Sequence, residues 1–333
     1  MTGHSIALFG RDPGGTNQVI ALHEVLRERA GRLLDSGSTS VDVYLQTLLP
    51  PDGMELLILG KDAGIRQWAM AGIQAIDVAS MDDAALRSLL SEFHVLAVLT
   101  GTSDIDDRTD HRLWRISESM GIPSAAFLDH TTNLYSRFIG ADGIPRFPDR
   151  IFTLNQESYD HLALKGAPQE RLTVGGDLHL YRLKQMGRRT LAQEKSTNLR
   201  AIWGVQGDDR VILFASECVQ EMAGLGRQSS YSEFAALDEL IYRLQSGEKL
   251  SGLNIYDLKN VVIVIRPHPR DRKGKYQLYS SRGDLRITIS SEGDATSAIL
   301  ASDLVVGMDS TLLKEALVLN VPTLSLLASN AIL

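Results

Sequence analysis

Residues 261–271 have the sequence VVIVIRPHPRD, and residues 303–316 have the sequence DLVVGMDSTLLKEA. Each stretch contains a run of apolar residues, typical of a strand buried on both faces, and then changes to polar residues. The second stretch continues into a predicted helix that starts with Asp309, Ser310 and Thr311. Free backbone N–H groups and a hydroxyl at a helix N-terminus bind anions readily. The two stretches therefore predict a phosphate site at the carboxyl edge of a parallel sheet.

The same alternation of short apolar runs and longer amphipathic stretches extends along the whole chain. Short strands that alternate with helices imply right-handed crossovers and a parallel sheet. The first series of predicted strands comprises Ser5–Phe9, Val41–Gln46, Leu56–Leu59, Val95–Thr100, Ser124–Leu128 and Arg150–Leu154, with helices at Thr16–Leu34, Asp62–Ala71, Asp82–Phe93, Asp107–Met120 and Gln156–Lys165. The second series comprises strands at Val211–Ala215, Asn260–Ile265, Leu285–Ile289, Leu304–Val306 and Pro322–Leu326, with helices at Ser232–Leu244, Ala295–Ala301 and Ser310–Leu319.

The length of the chain and the restart of this pattern predict two domains. A chain of 333 residues exceeds one ordinary hydrophobic core and suits two domains of about 150 residues each. We predict an α/β fold of two Rossmann-like, doubly wound parallel-sheet domains that face each other across a cleft, comprising residues 1–180 and 181–333. The polar, basic-rich residues 182–208 are predicted to link the two domains. The sequence stops at Leu333 soon after a strand-like run that another helix would normally cover, which indicates a shortened second domain.

Composition excludes several classes of function. The net charge of −7 argues against bulk attraction to nucleic acid and allows at most peripheral association with a membrane. The single cysteine, Cys218, excludes an internal disulfide and suits a reducing compartment. Neither the cysteine content nor the spacing of the histidines predicts a metal site. Because the sequence also lacks a signal peptide and an apolar stretch of about 18 residues, we expect a cytoplasmic, soluble protein.

The loop after the first predicted strand, LFGRDPGGTN, is the first candidate site. Its adjacent glycines, Gly14 and Gly15, permit the close approach of a ligand or a positive φ. The pattern is neither a dinucleotide-binding GxGxxG motif nor a Walker loop. Two interpretations stay open. Asp12 could point into the cleft as a functional carboxylate, or the loop could be a tight turn capped by Thr16 or Asn17.

A second candidate site in the first domain follows the predicted strand Ser124–Leu128. Asp129 precedes His130, so its carboxylate could orient an imidazole whose ordinary pKa of about 6.5 suits a general base. The alternative is that His130 only forms hydrogen bonds to the backbone of its loop. The segment Gly101–Asp104 closes the preceding strand, and an ordinary polar loop is the favoured interpretation there.

The second domain carries the predicted phosphate-binding residues. His268 lies between two prolines, of which Pro269 is the second, and the fixed φ of proline makes such a loop rigid. A rigid loop loses less entropy when it binds a ligand. Arg266 and Arg270 flank the histidine, so the segment offers three phosphate donors. The alternative is a solvent-exposed turn after a strand.

Two further positions of the second domain have open interpretations. Glu217 follows the predicted strand Val211–Ala215 and could accept a hydrogen bond from a ribose or sugar hydroxyl, or could be a solvated loop carboxylate. The segment that includes Ser310 could bind phosphate or act as a plain helix cap.

Taken in order, these motifs resemble those of GT-B glycosyltransferases from bacterial surface-polysaccharide loci, over nearly the whole chain. The segment Arg266–Pro269 resembles the His-Pro motif of bacterial sialyltransferases and CDP-polyol enzymes, which contacts nucleotide phosphate. Ser310 and Thr311 resemble the hydroxyl pair at their helix N-terminus. The glycine-rich loop and Thr173–Asp177 resemble their first loop and the segment that crosses between domains. The usual acidic base motif of the family is not evident in this sequence.

The resemblance implies a metal-independent glycosyltransferase that moves a sugar from a nucleotide-sugar donor to a hydroxyl of a glycan or small-molecule acceptor. The nucleotide sugar would be a co-substrate, and no cofactor is implied. The implied roles are Asp12 or His130 as the base, with Asp129 as an orienting partner; Arg266, His268, Pro269, Arg270, Asp309, Ser310 and Thr311 as nucleotide and phosphate ligands; and Gly14, Gly15, Glu217 and Glu315 as cleft residues.

Two alternatives to the glycosyltransferase remain. A non-hydrolysing nucleotide-sugar 2-epimerase would use several carboxylates, for which Asp12, Asp129 and Glu217 are candidates. Its characteristic acid-rich helix start is absent near residue 310. A non-catalytic protein that binds nucleotide sugars is the other alternative.

Overall fold

The computed structural model describes residues 4–28, 39–48, 54–103, 107–186, 198–224, 231–248, 250, 260–281 and 285–327. The chain divides into two compact units, Met1–His179 and Leu180–Leu333, which we call unit 1 and unit 2. Each unit contains one parallel sheet with helices between its strands. The predicted fold class of two Rossmann-like parallel-sheet domains is therefore confirmed.

In the described part of unit 1, seven strands pair in the order β3-β2-β1-β4-β5-β6-β7, and all pairings are parallel. The strands are β1 (Ser5–Gly10), β2 (Glu55–Gly60), β3 (Ile76–Asp77), β4 (Val95–Gly101), β5 (Ser124–Phe127), β6 (Arg150–Thr153) and β7 (Leu172–Val174). The helices are α1 (Pro13–Glu28), α2 (Thr39–Leu48), α3 (Ala63–Met70), α4 (Asp83–Glu92), α5 (Thr109–Met120) and α6 (Gln156–Leu164).

In the described part of unit 2, five strands pair in the order β10-β9-β8-β11-β12, again all parallel. They are β8 (Arg210–Ala215), β9 (Val261–Arg266), β10 (Arg286–Ile289), β11 (Leu304–Gly307) and β12 (Thr323–Ser325). Helix α7 (Leu178–Met186) begins in unit 1 and continues into unit 2, and is followed by α8 (Val219–Gly224), α9 (Glu233–Gln245), α10 (Ala295–Leu300) and α11 (Thr311–Val318).

The strand order places a topological switch point in each sheet, between β1 and β4 in unit 1 and between β8 and β11 in unit 2. In doubly wound folds, ligands bind beyond the carboxyl ends of the strands at such a point. The loops that carry the predicted site residues follow β1, β5, β8, β9 and β11. Their common position on the carboxyl edges follows directly from the parallel topology.

The central strands are mostly apolar because both of their faces are covered. In β1, Ile6 and Leu8 belong to one hydrophobic cluster of unit 1, while Ala7 and Phe9 belong to another. The residues of β8 are shared between two clusters of unit 2 in the same way. Because side chains alternate between two buried faces, most positions of these strands carry apolar residues.

Strand length decreases toward the margins of both sheets. The central strands β1, β8 and β9 have six residues each and β4 has seven. The outer strands are shorter, with two residues in β3, three in β7, four in β10 and three in β12. Among the described helices, none is long and apolar enough to cross a membrane.

The predicted strand at Val41–Gln46 is wrong, because the structure has helix α2 there. Val41 and Leu45 are buried, whereas Val43 is 59% exposed. The two buried residues are four positions apart, which is the spacing of one helix face. The alternating β-branched residues favour a strand, but Tyr44 and Leu48 also pack against the core, which completes the pattern of one helix face.

Two other boundaries differ from the sequence-based expectation. The first helix begins at Pro13 rather than Thr16, and its predicted end at residues 29–34 lies outside the described residues. The predicted linker, residues 182–208, includes the end of α7 and a helical stretch at 198–202. Leu183, Leu199 and Trp203 are buried in a core cluster of unit 2, so the described parts of this segment belong to a domain rather than to a linker.

Candidate functional site

His268 lies in the loop after β9 and has a defined protonation state. Its Nδ1 accepts a hydrogen bond from the backbone N–H of Arg270 at 3.1 Å. A ring nitrogen that accepts carries no proton, so the neutral ring has its proton on Nε2. Burial, together with the positive charges of Arg270 and Lys275, lowers the pKa of His268 to about 4. At neutral pH the side chain is therefore an uncharged imidazole that offers an Nε2–H donor.

Asp271 fixes the backbone of this loop. Its Oδ2 accepts hydrogen bonds from the backbone N–H of His268 at 2.8 Å and from the hydroxyl of Ser216 at 3.0 Å. Its own N–H donates to the carbonyl oxygen of His268 at 2.9 Å. The loop after β9 is thus tied to Ser216, which follows β8. The sequence alone does not indicate this role of Asp271, because Ser216 is remote from it along the chain.

The arginines beside His268 have contacts within the protein. The guanidinium of Arg266 donates to the carbonyl oxygens of Glu292 at 3.0 Å and Gly293 at 2.8 Å, so it holds the turn after β10. Arg270 supplies the backbone N–H that fixes the imidazole, and Pro269 is exposed. Of the three donors predicted in this loop, the imidazole is the one whose orientation is fixed by a hydrogen bond to the loop backbone.

The loop after β11 shows the capping geometry that was one of the two open interpretations. Ser310 is the N-cap of α11, and its Oγ accepts a hydrogen bond from the backbone N–H of Leu312 at 3.3 Å. The hydroxyl still has a proton to donate. Thr311 is the first residue of the helix, and Glu315, one turn further on, is buried.

Glu217 connects the two sides of the switch point in unit 2. Its Oε1 accepts a hydrogen bond from the backbone N–H of Asp309 at 2.6 Å, and Oε2 accepts one from the hydroxyl of Tyr231 at 3.2 Å. Burial raises the pKa of Glu217, and the nearby charge of Asp309 acts in the same direction. Because Glu217 follows β8 and Asp309 follows β11, this contact fixes the ends of the two strands relative to each other.

In unit 1, the structure brings two of the predicted carboxylates to the edge of the sheet, each beside a buried arginine. The Arg11 guanidinium lies 3.2 Å from Asp12 Oδ1. The Arg137 guanidinium donates to Asp129 Oδ1 at 2.6 Å and to the hydroxyl of Thr102 at 2.9 Å. Arg137 is not among the residues predicted from the sequence, because it lies in a polar stretch with no strand or helix pattern.

His130 is placed on the same loop as Asp129, and its Nδ1 accepts a hydrogen bond from the backbone N–H of Thr132 at 3.1 Å. This contact to the loop backbone is the alternative that the sequence analysis left open. The described hydrogen bonds of the Asp129 carboxylate lead to Arg137 and Thr102. The role of Asp129 as the orienting partner of His130 therefore stays a prediction.

The paired glycines of unit 1 allow α1 to pack closely on the sheet. A Cβ atom on Gly14 would collide with the carboxylate of Asp129, and one on Gly15 would lie 2.7 Å from the carbonyl oxygen of Thr102. Neither glycine has a positive φ. The need for glycine here is explained by contact between the helix N-terminus and the ends of β4 and β5.

Asp110 is a further buried carboxyl group that the sequence analysis missed. It is 1% exposed and accepts hydrogen bonds from the backbone N–H groups of Ser103 at 3.1 Å and His111 at 2.9 Å. Burial raises the pKa of Asp110 to about 7, and the charge of Asp12 contributes to this increase. In the sequence it resembles an ordinary acidic residue in the first turn of a helix.

No protein-family model matches this chain, and no curated protein matches it. Solved structures do match it. UDP-GlcNAc 2-epimerase from Neisseria meningitidis, bound to UDP-GlcNAc, is 16% identical, with 97% of this chain and 82% of that chain covered and a TM-score of 0.57. S. aureus MnaA, in a co-structure with UDP, is 14% identical, with coverages of 97% and 79% and a TM-score of 0.61. UDP-GlcNAc 2-epimerase from Methanocaldococcus jannaschii is 12% identical, with coverages of 97% and 83% and a TM-score of 0.60.

At these identities the likeness shows the fold alone. The chain shares a two-domain, GT-B-like Rossmann fold with these proteins, as the sequence resemblance implied. The same resemblance also implies glycosyltransferase activity, but a shared fold alone does not show that activity.

Proposed function

We propose that this chain is an enzyme that binds a nucleotide sugar and breaks the bond between the anomeric carbon and the nucleoside diphosphate. The observation that carries the proposal is the neutral His268, whose Nε2–H lies at the same sheet edge as the N-terminus of α11. These groups follow β9 and β11, which flank β8, so the strand ends lie about 10 Å apart. A nucleoside diphosphate can span such a distance.

The leaving diphosphate would be stabilised by hydrogen bonds and backbone dipoles. The imidazole Nε2–H, the hydroxyls of Ser310 and Thr311 and the free N–H groups of α11 are all donors to an anion. In this proposal unit 2 binds the nucleotide, and Asp12 and Asp129, the catalytic candidates from the sequence, are the residues to test for proton transfer. Glu217 is a candidate acceptor for a ribose hydroxyl.

The reaction that we favour is inversion at C2 of the sugar, as in a non-hydrolysing 2-epimerase. Of the three solved structures reported above, two are described as UDP-GlcNAc 2-epimerases, and one of these holds UDP-GlcNAc. Inversion requires removal of the proton on C2, and the electron pair of that bond can form a C1–C2 double bond while the diphosphate leaves. Return of a proton to the other face of C2 and of the diphosphate to C1 completes the reaction.

Acid and base groups are available for such proton transfers at the edge of unit 1. Asp12 and Asp129 lie beside arginines, and burial raises the pKa of the neighbouring Asp110 to about 7. A general base works best when its pKa lies near the operating pH. Sugar transfer to an acceptor, the function favoured from the sequence, remains the second candidate because it begins with the same bond cleavage.

We predict that incubation with UDP-GlcNAc in ²H₂O produces a second nucleotide sugar, inverted at C2, with deuterium at C2 in the product. Proton NMR of the C1 and C2 signals measures this exchange directly. Asp12→Asn and Asp129→Asn are expected to slow it, by about a hundred- to ten-thousandfold for the residue that moves the proton. Asp142→Asn is the matched control, since Asp142 also lies beside an arginine in unit 1 but is exposed.

The same experiment separates the alternatives. A glycosyltransferase releases UDP when an acceptor is added and leaves the C2 proton unexchanged. A non-catalytic binding protein shows saturable binding of UDP-GlcNAc with neither exchange nor release. Absence of both binding and exchange, tested over a panel of UDP, CDP and GDP sugars, contradicts the proposed function.

A further inference from the structure

Beneath the His268 loop, four charged side chains of unit 2 form a buried group that we call the lysine cluster: Lys275, Asp271, Glu221 and Glu233. The Lys275 side chain is 1% exposed, and its Nζ lies 2.6 Å from Asp271 Oδ1 and 2.6 Å from Glu221 Oε2. A third ion pair joins it to Glu233, whose side chain is fully buried. Although burial opposes the charge, hydrogen bonds to these three carboxylates raise the pKa of Lys275.

The geometry shows that Lys275 acts on the protein and not on a ligand. An ammonium group has three N–H donors, and here each has a carboxylate partner. The oxygen atoms of the three carboxylates lie within 4.8 Å of one another, and the ammonium occupies the position that a metal ion would take among them.

Such a cluster is a costly way to stabilise a fold. Burying charges carries a large desolvation penalty, and well-packed apolar residues often stabilise a core more. The three carboxylates also outnumber the single ammonium. A role in placing nearby groups explains the cluster better than a contribution to stability does.

Asp271 connects the lysine cluster to the candidate site. Its Oδ1 faces Lys275, while its Oδ2 accepts from the His268 backbone N–H at 2.8 Å and from the Ser216 hydroxyl at 3.0 Å. Only a carboxylate can accept hydrogen bonds on both sides. A carboxamide has one oxygen, so its NH₂ group would face either the ammonium or the His268 N–H.

We propose that Lys275 and Asp271 are positioning residues that hold the His268 loop so that the imidazole keeps Nδ1 on the Arg270 N–H and presents Nε2–H to the nucleotide phosphate. The proposal rests on the function proposed above and deepens it. The sequence of contacts runs from the Lys275 ammonium to the Asp271 carboxylate and then to the His268 backbone. The turn is closed by the bond from the Asp271 N–H to the His268 carbonyl at 2.9 Å.

The test uses the full chain labelled with ¹⁵N-histidine, so the ring can be observed without any ligand. In the unaltered protein we expect the Nε2–H tautomer and a pKa of about 4. In Asp271→Asn we expect both tautomers and a pKa closer to the ordinary value of about 6.5. A loss of histidine signals in His268→Ala assigns the ring among the eight histidines of the chain.

Binding of UDP-GlcNAc gives a second measurement. Loss of one hydrogen bond to a charged group corresponds to about a tenfold or greater loss of affinity, and we expect Asp271→Asn and His268→Ala each to lose this much. The double variant should bind no more weakly than His268→Ala alone, because Asp271 acts through the histidine. A purely structural role for Asp271 would give additive losses.

Asp209→Asn is the matched control. Asp209 is also a buried carboxylate of unit 2 that accepts from a backbone N–H, that of Gln206 at 2.8 Å, and from a cation, Arg286 at 2.6 Å. It precedes β8 and therefore lies at the opposite edge of the sheet. We expect it to change neither the His268 ring nor the affinity.

If Asp271→Asn fails to fold, Asp271→Glu provides the test. It keeps the charge of the cluster but moves the carboxylate by one methylene, so the ring is expected to change in the same direction. A folded variant with an unchanged tautomer and pKa of His268 overturns the proposal. If the unaltered protein binds no nucleotide sugar, the proposed function fails, while the ring measurement still decides whether Asp271 positions His268.

Discussion

At the scale of single residues, the protonation state of His268 determines how the site can bind an anion. The ring is neutral at physiological pH because it is buried beside Arg270 and Lys275, and the backbone N–H of Arg270 fixes its tautomer. A neutral donor contributes through hydrogen-bond geometry rather than through net charge. Its contribution to binding should therefore not depend on pH in the range where an ordinary histidine titrates.

We predict that His268→Ala weakens the binding of UDP-GlcNAc by the same factor at every pH between about 5.5 and 8, since His268 stays neutral above its pKa of about 4. UDP-GlcNAc suits this measurement because its diphosphate has no group that titrates in that interval. His268→Ala should weaken binding about ten- to a hundredfold at every pH. Calorimetric titration at several pH values measures this factor.

The opposite result is easily recognised. If an imidazolium bound the phosphate, affinity would fall as the pH rises through about 6.5, and the difference between the unaltered protein and His268→Ala would vanish above it.

The lowered pKa of His268 also makes the stability of the fold depend on pH. Because the pKa in the folded chain is lowered, this group favours the folded state above the unfolded pKa of about 6.5 and loses that contribution as the pH falls toward 4.

The sequence predicted the residues whose type and position suffice to suggest a role. His268 between two prolines and Ser310 at a helix start follow apolar strands, so both could be placed at a sheet edge. Asp271, Lys275 and Arg137 could not be found in this way. Besides near neighbours, each has partners 35 to 55 residues away along the chain, such as Thr102 for Arg137 and Ser216 for Asp271, which only the folded chain brings close.

At the scale of secondary structure, the packing of α1 on the sheet depends on small residues. We predict that Gly15→Ala lowers the free energy of unfolding by about 1–3 kcal/mol, because the new Cβ would lie 2.7 Å from the backbone oxygen of Thr102 and backbone cannot move aside easily. Gly224→Ala is the matched control. Gly224 ends α8 with no atom within 4 Å of an added Cβ, so alanine there should be neutral or stabilise by up to about 1 kcal/mol.

Urea denaturation of the two variants and the unaltered protein measures this difference. Equal stability of Gly15→Ala and Gly224→Ala would contradict the close packing of α1. The affinity of Gly15→Ala for UDP-GlcNAc shows whether the glycine also contributes to binding. If its affinity for UDP-GlcNAc is unchanged in spite of lower stability, the glycine serves the packing of unit 1 and not the nucleotide.

The same scale shows where periodicity is informative and where it fails. Continuous apolar runs such as β9 were recognised because a strand buried on both faces excludes polar residues. Helix α2 was taken for a strand because Val41, Val43 and Leu45 alternate with polar residues, although Val43 faces solvent. Two buried residues four positions apart are compatible with both the two-residue period of a strand and the 3.6-residue period of a helix. Which structure forms depends on the core against which the segment packs.

At the scale of the whole molecule, each hydrophobic core cluster of the described residues lies within one unit. Units with separate cores unfold separately unless a large interface couples them. We predict two transitions in differential scanning calorimetry. Leu99→Ala in β4 and Leu213→Ala in β8 are a matched pair, since both leucines are fully buried in central strands.

Each substitution should cost about 2–5 kcal/mol and lower the transition of its own unit by about 2–4 °C per kcal/mol. UDP-GlcNAc in excess should raise the transition that Leu213→Ala lowers, because a ligand that binds only the folded state stabilises it. A single transition that both substitutions lower equally would show that the two cores unfold together.

The tapering of both sheets has a consequence for self-association. A strand at the margin of a sheet exposes unpaired N–H and C=O groups that another chain can extend into a fibril. Here the marginal strands β3, β7 and β12 have only two or three residues and β10 has four, so an incoming chain would find few such groups in register. The long apolar strands, which have the composition of amyloid-forming segments, lie in the interior of each sheet with both neighbours in place. Among the described strands, this order therefore limits the backbone groups that are open to pairing with another chain.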